Sequence, residues 1–102
     1  MELHADETFV DKRILLDGCR FERCQFTRCE LVFKGGETPE LAGNRFDDCR
    51  FLFADAAERT LGFMAAMYNG MGFEGRRILE ITFDSIRRGA LPTATKPSPG
   101  DA

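Results

Sequence analysis

Four cysteines are the residues of this 102-residue chain whose type and spacing most readily suggest chemistry. Cys19, Cys24 and Cys29 recur at intervals of five, and Cys49 stands alone further along the chain. Zinc sites use closer pairs, such as C-x₂₋₄-C, together with a second pair or with histidines. The spacing therefore favours apolar packing of free thiols, and we expect no metal, no cofactor and no disulfide.

A single histidine, His4, limits the catalytic possibilities. It lies in a polar N-terminal stretch that we expect to be loosely held at the surface. Without a second histidine the chain offers no Cys–His pair of fixed geometry for nucleophilic catalysis. Gly70, Gly72 and Gly75 spell G-x-G-x-x-G, but they follow a predicted helix, whereas a dinucleotide site needs a preceding strand. The sequence therefore predicts no catalytic and no cofactor-binding residue, and we do not expect an enzyme.

The elements that would position these residues show a period of five from Ile14 onward. The middle position of each five-residue block is a large apolar residue, and the position two before it is small or medium-sized. This period matches neither an α-helix nor simple strand alternation, and it indicates a repeat. The middle residues are Leu16, Phe21, Phe26, Leu31, Leu41, Phe46 and Phe51, and the smaller ones include Cys19, Cys24, Cys29, Cys49 and Ala54.

Over residues 14–56 the pattern resembles the pentapeptide-repeat family, whose members coil as right-handed, four-sided β-solenoids. The resemblance implies that each block forms one side of a square coil, with its middle and smaller residues pointing inward. The expected fold is mainly β with C-terminal α: a short right-handed quadrilateral β-helix of about two coils, followed by two helices. One departure is the position before the middle residue, where the family favours Asp or Asn and this chain has Arg20, Gln25, Glu30, Arg45 and Arg50.

The block KGGET, residues 34–38, sets the expected register between coils. It is polar and carries two glycines, which are loop features, so we treat it as a bulge between a coil over 14–33 and one starting at Pro39. The resulting offset of 25 also brings like charges together at two outer positions, which is unfavourable. It predicts Leu16 on Leu41, Phe21 on Phe46, Cys24 on Cys49 and Phe26 on Phe51, with Glu22 over Asp47 and Arg20 over Arg45.

Two helices are predicted after the repeats. The first spans 55–68, with Asp55 as a possible N-cap. The second spans 74–88, where Arg87 and Arg88 suit the negative end of the helix dipole. The tail holds three of the four prolines and little apolar bulk, a composition typical of disorder. The expected organisation is one domain over 1–89, with the solenoid over about 9–54, and a disordered tail over 90–102.

The predicted helices carry more apolar surface than one small end of a solenoid can bury. Repeat arrays usually need about three units with caps to be stable, so two coils would need further cover. We therefore expect a homodimer, with a monomer whose helices fold back on the coils as the alternative. The predicted interaction surface comprises Phe63, Met64, Met67, Met71, Phe73, Arg76 and Arg77.

Charge and hydropathy narrow the classes of partner. The net charge of -3 argues against a basic nucleic-acid binder, although several arginines are expected on the outside of the coils. No apolar run reaches the roughly 18–20 residues that span a bilayer, which argues against a membrane protein. The N-terminus lacks the apolar region of a secretory signal, so a cytoplasmic location is expected.

The expected function is a non-enzymatic protein–protein interaction module whose partner the sequence does not identify. The first alternative is an inhibitor that mimics DNA, as some longer pentapeptide-repeat proteins do through acidic, rod-shaped dimers. The second is a small-ligand or enzymatic pocket between the helices and the solenoid. Its candidate residues are Glu58, Arg59, Tyr68, Asn69 and Glu74.

Overall fold

The computed structural model describes residues 1–90, in which nine strands precede two helices. The disordered tail predicted over 90–102 therefore lies, from residue 91, outside the described residues. The strands are β1 (Glu2–Ala5), β2 (Thr8–Val10), β3 (Arg13–Leu15), β4 (Cys19–Glu22), β5 (Gln25–Thr27), β6 (Glu30–Phe33), β7 (Glu40–Ala42), β8 (Arg45–Asp47) and β9 (Arg50–Phe53). The helices are α1 (Asp55–Gly70) and α2 (Gly72–Arg87).

Every third strand returns to the same sheet, so the strands form three parallel sheets of three strands each. The sheet orders are β1–β4–β7, β2–β5–β8 and β3–β6–β9. We call β1–β3 the first layer, β4–β6 the middle layer and β7–β9 the third layer. Parallel stacking of this kind agrees with a solenoid, but the expected two coils are one layer too few. The layer that was not expected is the first one. Its strand β1 pairs with β4, so the N-terminal residues are part of the stack and are not loosely held as predicted.

The register predicted with an offset of 25 is wrong. Phe26 pairs with Phe46, an offset of 20, and Phe9 pairs with Phe26, an offset of 17. Residues 34–39 form the connection from β6 to β7. They are already counted within the 20-residue offset, so they are not an additional block inserted between two coils. The shorter connection 16–18 between β3 and β4 accounts for the smaller first offset. The observed pairs include Phe21 on Leu41, Leu31 on Phe51, Arg20 on Glu40 and Glu30 on Arg50, so the predicted like-charge pairs do not form.

The core lies inside the stack and centres on the middle layer. Phe26 is 0% exposed, and its ring stacks on Phe9 at 5.1 Å and on Phe46 at 5.0 Å, with interplanar angles of 12° and 7°. Leu16, Phe21, Leu31, Cys24 and Cys29 are also buried, as the pattern predicts. Leu41 and Phe51 were expected inside but are 43% and 46% exposed, because the third layer is the last strand of each sheet.

The described chain divides into two compact units, one over 1–62 and one starting at Phe63. In the first unit, the N–H of Ala57 in α1 donates to the carbonyl of Lys34 at 3.3 Å. Gly35 is required beside this contact, because an added Cβ would lie 2.7 Å from the Ala57 nitrogen. The backbone of α1 therefore docks directly on the connection that follows β6.

In the second unit, the turn between α1 and α2 depends on glycine. Gly72 has a left-handed φ of +61°, and Met71 is the only residue between the two helices. Gly75 lies so close to the end of α1 that an added Cβ would be 1.9 Å from the Met67 carbonyl oxygen. The glycines of the G-x-G-x-x-G letters thus serve a tight helix-to-helix turn. The helices are slightly offset from the predicted bounds of 55–68 and 74–88.

Candidate functional site

The predicted interaction surface is largely apolar and exposed. Phe63, Met71 and Phe73 are 66%, 51% and 72% exposed, and Met64 and Met67 are half-buried. Such a density of exposed apolar side chains is unusual on a small monomer and typically marks an interaction site. Between residues 63 and 90, the large apolar side chains that are at least 40% exposed are Phe63, Tyr68, Met71, Phe73, Ile78, Ile81, Phe83 and Ile86.

One side of α2 combines apolar and charged residues at helical spacing. Gly75 and Leu79 are buried and mark the opposite, packed side of the helix. At about 100° per residue, this outer side presents residues spaced by three and four positions. We call it the outer face of α2; it comprises Phe73, Arg77, Ile81, Asp84 and the C-cap residue Arg88. Arg76, another residue of the predicted interaction surface, is also exposed. It is rotated by about 100° around the helix axis from Arg77 and therefore lies off the outer face.

Ion pairs join the first and middle layers at the corners of the stack. Asp6 receives hydrogen bonds from Nε and Nη2 of Arg23 at 2.9 and 3.1 Å, and Asp11 receives the same pair from Arg28 at 2.7 and 3.1 Å. All four residues have left-handed φ values of 50–55°, which place their side chains at the turns between strands. The arginines hold the pKa of Asp6 and of Asp11 below the ordinary value through these hydrogen bonds.

A third charged ladder crosses all three layers. Glu30 lies between Arg13, at 3.4 Å, and Arg50, at 2.5 Å. Exposed pairs of this kind contribute little to stability, since solvent screens them. Their main effect here is on surface potential, because the acidic groups of the stack alternate with arginines.

The cysteines of the repeat act as weak hydrogen-bond donors to the backbone. The Sγ atoms of Cys24, Cys29 and Cys49 lie 3.4–3.5 Å from carbonyl oxygens of the preceding layer, those of His4, Phe9 and Phe26 respectively. Cys29 pairs in register with the position of Cys49, and Cys24 with that of Asn44, so the expected neighbours Cys24 and Cys49 are not opposite each other. All four thiols are free.

Cys19 differs from the other three cysteines. Its Sγ lies 3.8 Å from the Leu15 carbonyl and 3.6 Å from the Asp17 carbonyl, and like Cys49 it is half-buried. In register it pairs with Glu2 of the first layer. Burial, Glu2 and Asp17 together raise the pKa of the Cys19 thiol above its ordinary value. This thiol therefore belongs to a polar group at the first layer, which the cysteine spacing alone did not indicate.

His4 is the centre of that polar group, and its assignment to a loosely held surface segment is wrong. It occupies the inward register position opposite Phe21, and its ring stacks on Phe21 at 5.0 Å and 13°. Nε2 lies 2.5 Å from a Glu2 carboxylate oxygen and Nδ1 lies 2.8 Å from one of Glu7. Burial acts to lower the pKa of His4, but the hydrogen bonds to Glu7 and Glu2 raise it above the ordinary value.

The five-residue period also runs through the first strands, but the prediction counted blocks only from Ile14 and did not use it. His4, Phe9 and Ile14 are themselves spaced by five, and each faces a middle residue of the next layer. Extending the repeat backwards would have placed His4 inside the first layer. It would not have placed Cys19 beside it, because that contact depends on the shortened offset of 17 between the layers.

The residues suggested for a ligand pocket all lie on the helices, and all five are exposed: Glu58, Arg59, Tyr68, Asn69 and Glu74. The Asn69 amide donates to the carbonyl of Ala65 in its own helix at 2.9 Å. A groove of about 350 Å³ in the first unit is instead lined by small and apolar residues such as Phe33, Phe53 and Leu61. The polar side chains in this lining are those of Thr38 and Thr60, and it contains no acidic, basic or thiol group.

Neither helix within residues 1–90 is long and apolar enough to cross a membrane. Comparisons with protein-family models, with curated proteins and with solved structures found no match. A functional assignment therefore depends on the surfaces and side-chain groups of this chain itself.

Proposed function

We propose that this chain is a non-enzymatic protein–protein interaction module that forms a homodimer through its C-terminal helices. The observation that carries the proposal is the exposure of large apolar side chains on the second unit, led by Phe73 at 72% and Phe63 at 66%. Burying such side chains is worth roughly 1.5–3 kcal/mol each, so association would relieve a large contact between hydrocarbon and water. A further protein partner is compatible with the same surface.

The outer face of α2 favours a second copy as the occupant, because its charges are self-complementary. When two α2 helices run antiparallel about a two-fold axis near Ile81, Arg77 of one protomer faces Asp84 of the other. Ile81 then meets its own symmetry mate, and Phe73 faces Arg88. An isologous interface of this kind repeats each favourable contact twice. Apolar contact in the centre with charged contacts on both sides is the usual arrangement of a protein interface.

We also infer that the strand stack is a right-handed, four-sided β-helix like those of the pentapeptide-repeat proteins. The offset of 20 between the middle and third layers equals four blocks of five, and Arg23 and Arg28, five residues apart, both take left-handed φ values at corners. Parallel strands joined by crossovers are right-handed in nearly all proteins. The four free thiols support a reducing, cytoplasmic setting for this module.

The alternation of charge on the stack disfavours both nucleic-acid readings. A DNA mimic needs a continuous negative face, whereas Asp6, Asp11 and Glu30 are each paired with arginine. A nucleic-acid binder needs a positive stripe, and the same pairs neutralise its arginines. Among the described residues the helices also carry an ion pair, Arg88 with Asp84 at 2.9 Å, and their exposed apolar surface is the better candidate for recognition.

The test is the molar mass of the full-length chain by light scattering across a dilution series. We expect twice the chain mass of 11.5 kDa at high concentration, with dissociation on dilution. Arg77→Glu places like charges opposite Asp84 at two symmetric positions and should weaken the dimer roughly tenfold. Adding Asp84→Arg restores opposite charges across the interface and should restore the affinity, at the cost of the exposed Arg88–Asp84 ion pair within each helix, which is worth only a few tenths of a kcal/mol. Both changes leave the helix dipole well matched, since the acid moves toward the N-terminus and the base toward the C-terminus.

Arg76→Glu is the matched control, because it makes the same charge change one residue away and off the outer face. It should leave the dimer unchanged. A monomer at every concentration, or equal weakening by Arg76→Glu and Arg77→Glu, would overturn the proposed interface. A dimer that the double charge exchange fails to restore would overturn the antiparallel arrangement.

A further inference from the structure

Three side chains of different chemistry converge where the first and middle layers meet. A ring nitrogen of His4, a carboxylate oxygen of Glu2 and Sγ of Cys19 all lie within 4.8 Å of one another. Two of them come from β1, and Cys19 comes from β4, the strand paired beside it. We propose that Glu2, His4 and Cys19 form a binding site for Zn²⁺ or a similar divalent transition metal.

The donor set matches the chemistry of zinc. Zinc takes imidazole nitrogen at about 2.0–2.1 Å, thiolate sulfur at about 2.3 Å and carboxylate oxygen at about 2.0–2.2 Å, usually with four ligands. Atoms within 4.8 Å of one another reach these distances through small side-chain rotations, since Glu2 is exposed and has three rotatable bonds. Three protein ligands leave the fourth position to water. A hard ion such as Mg²⁺ is disfavoured, because it selects oxygen ligands and this site supplies only one.

Two features hold the histidine in place as a metal ligand would need. The ring stacks on Phe21 at 5.0 Å, which restricts its rotation. The other nitrogen, Nδ1, lies 2.8 Å from a Glu7 carboxylate oxygen. When Nδ1–H donates a hydrogen bond to this oxygen, Nε2 is left for the metal. A carboxylate that accepts from the other ring nitrogen of a ligating histidine is a recurrent second-sphere arrangement in zinc proteins. Glu7 is therefore a positioning residue.

Cys19 is also the one cysteine of the repeat whose thiol, among the described hydrogen bonds, has acceptors only within four residues of itself along the chain. Its nearest carbonyls, at 3.6 and 3.8 Å, are weaker acceptors than those at 3.4–3.5 Å beside Cys24, Cys29 and Cys49. Zinc binds sulfur as the thiolate, so binding would replace the proton of the Cys19 thiol. Metal uptake should therefore release a proton and weaken as the pH falls. The cysteine spacing along the chain does not bear on this site, because its ligands come from two different layers.

The experiment uses the full-length, tag-free, reduced chain after removal of metals with a chelator. Zn²⁺ affinity is measured by calorimetry, and Co²⁺ serves as a spectroscopic substitute whose thiolate bond gives a charge-transfer band in the near ultraviolet. We expect one equivalent of each metal. Cys19→Ser should abolish the band and lower the Zn²⁺ affinity by at least about 100-fold, whereas Glu7→Gln should keep the band and lower the affinity about 10-fold.

Cys49→Ser is the matched control, since Cys49 is equally half-buried but lies in the third layer, away from His4. It should leave the band and the affinity unchanged, and circular dichroism checks that each variant keeps its fold. The absence of saturable Zn²⁺ binding would overturn the site. So would a Cys19→Ser variant that binds as tightly as the parent, or a band that disappears in Cys49→Ser. None of these results depends on the dimer.

Discussion

The strand stack and the helical segment treat their apolar side chains in opposite ways. In the stack, Phe26 is 0% exposed, because layers on both sides repeat its environment and cover the ring. In the second unit, Phe73 is 72% exposed although it is the same residue type. A repeat closes its core with its own neighbouring layers, so only its end layers need cover. The helices have no such repetition, and under the proposed dimer a second copy completes their burial.

The largest expected effect compares these two phenylalanines directly. Phe26→Ala removes a ring that contacts both neighbouring layers, and we expect it to lower the free energy of unfolding by about 3–5 kcal/mol. Phe73→Ala removes a ring already in contact with solvent, so its effect should stay within about 0.5 kcal/mol. Urea unfolding, followed by circular dichroism at a concentration where the chain is monomeric, measures both.

The concentration matters in this comparison because association adds to apparent stability. At high concentration Phe73→Ala should become destabilising, since it then removes an interface contact. A large loss for Phe73→Ala in the monomer would mean that the helical surface is part of an intramolecular core, contrary to its exposure. A loss below 1 kcal/mol for Phe26→Ala would contradict the closed core of the stack.

A second comparison sets two helical glycines against each other. A Cβ at Gly75 would lie 1.9 Å from the Met67 carbonyl oxygen and 2.8 Å from the Met71 Cβ, so Gly75→Ala must displace backbone and should cost about 1–3 kcal/mol. A Cβ at Gly62 would meet nothing within 4 Å, and Gly62→Ala should stabilise the chain by about 0.5–1 kcal/mol through helix propensity. Thermal unfolding of the helical signal measures both shifts. Equal shifts for the two variants would show that the close turn between the helices is wrong.

A smaller effect is expected at Asp17, which secures the connection between β6 and β7. Its carboxylate accepts N–H bonds from Lys34 at 2.8 Å and from Gly36 at 2.6 Å. Burial acts to raise the pKa of Asp17, but these bonds lower it below 3.8. Asp17→Asn cannot accept both bonds and should cost about 1 kcal/mol near neutral pH.

The depressed pKa of Asp17 also predicts a dependence on acid. Its stabilising contribution is present above the unfolded pKa and is lost as the pH falls through the lower folded value. The difference in stability between the parent and Asp17→Asn should therefore shrink below about pH 4. Asp48→Asn, at an exposed corner of the stack, is the control and should change stability by less than about 0.5 kcal/mol. A difference that persists unchanged in acid would count against the ionised carboxylate.

The residue pattern carried most of the information about the core. The buried state of Phe21, Phe26 and Leu31 was expected from the resemblance to the pentapeptide-repeat family, which implies that the middle residue of each five-residue block points inward. The register did not follow, since residues 34–39 and 16–18 differ in length and only three-dimensional pairing shows which connection belongs to a layer. The predicted offset of 25 treated the polar block at residues 34–38 as an insertion between two coils, whereas the observed offset of 20 includes it.

The candidate sites divide along the same line. The interaction surface that includes Phe63, Met71 and Phe73 was predicted because the two helices carry more apolar surface than one end of the solenoid can bury, and these three side chains are exposed. The group around His4 was not, because it joins a residue of the first layer to Cys19 of the middle layer. Contacts between layers depend on the register offset. With a wrong offset these contacts cannot be predicted, even when the inward or outward orientation of each residue is predicted correctly.

The smallest expected effect tests how His4 belongs to the repeat. In the metal-free chain the raised pKa of His4 contributes stability that is fully present below the unfolded value of 6.5 and is lost as the pH rises through the folded value. His4→Phe keeps a flat ring over Phe21, as Phe9 does over Phe26, but has no proton to lose. We expect the parent to lose less than about 1 kcal/mol relative to His4→Phe as the pH rises across this range, because the group is partly solvated. Urea unfolding in the presence of a chelator measures the difference at each pH. A parent that gains stability relative to His4→Phe with rising pH would mean that His4 is held neutral, and the pairing with Glu2 and Glu7 would then be wrong.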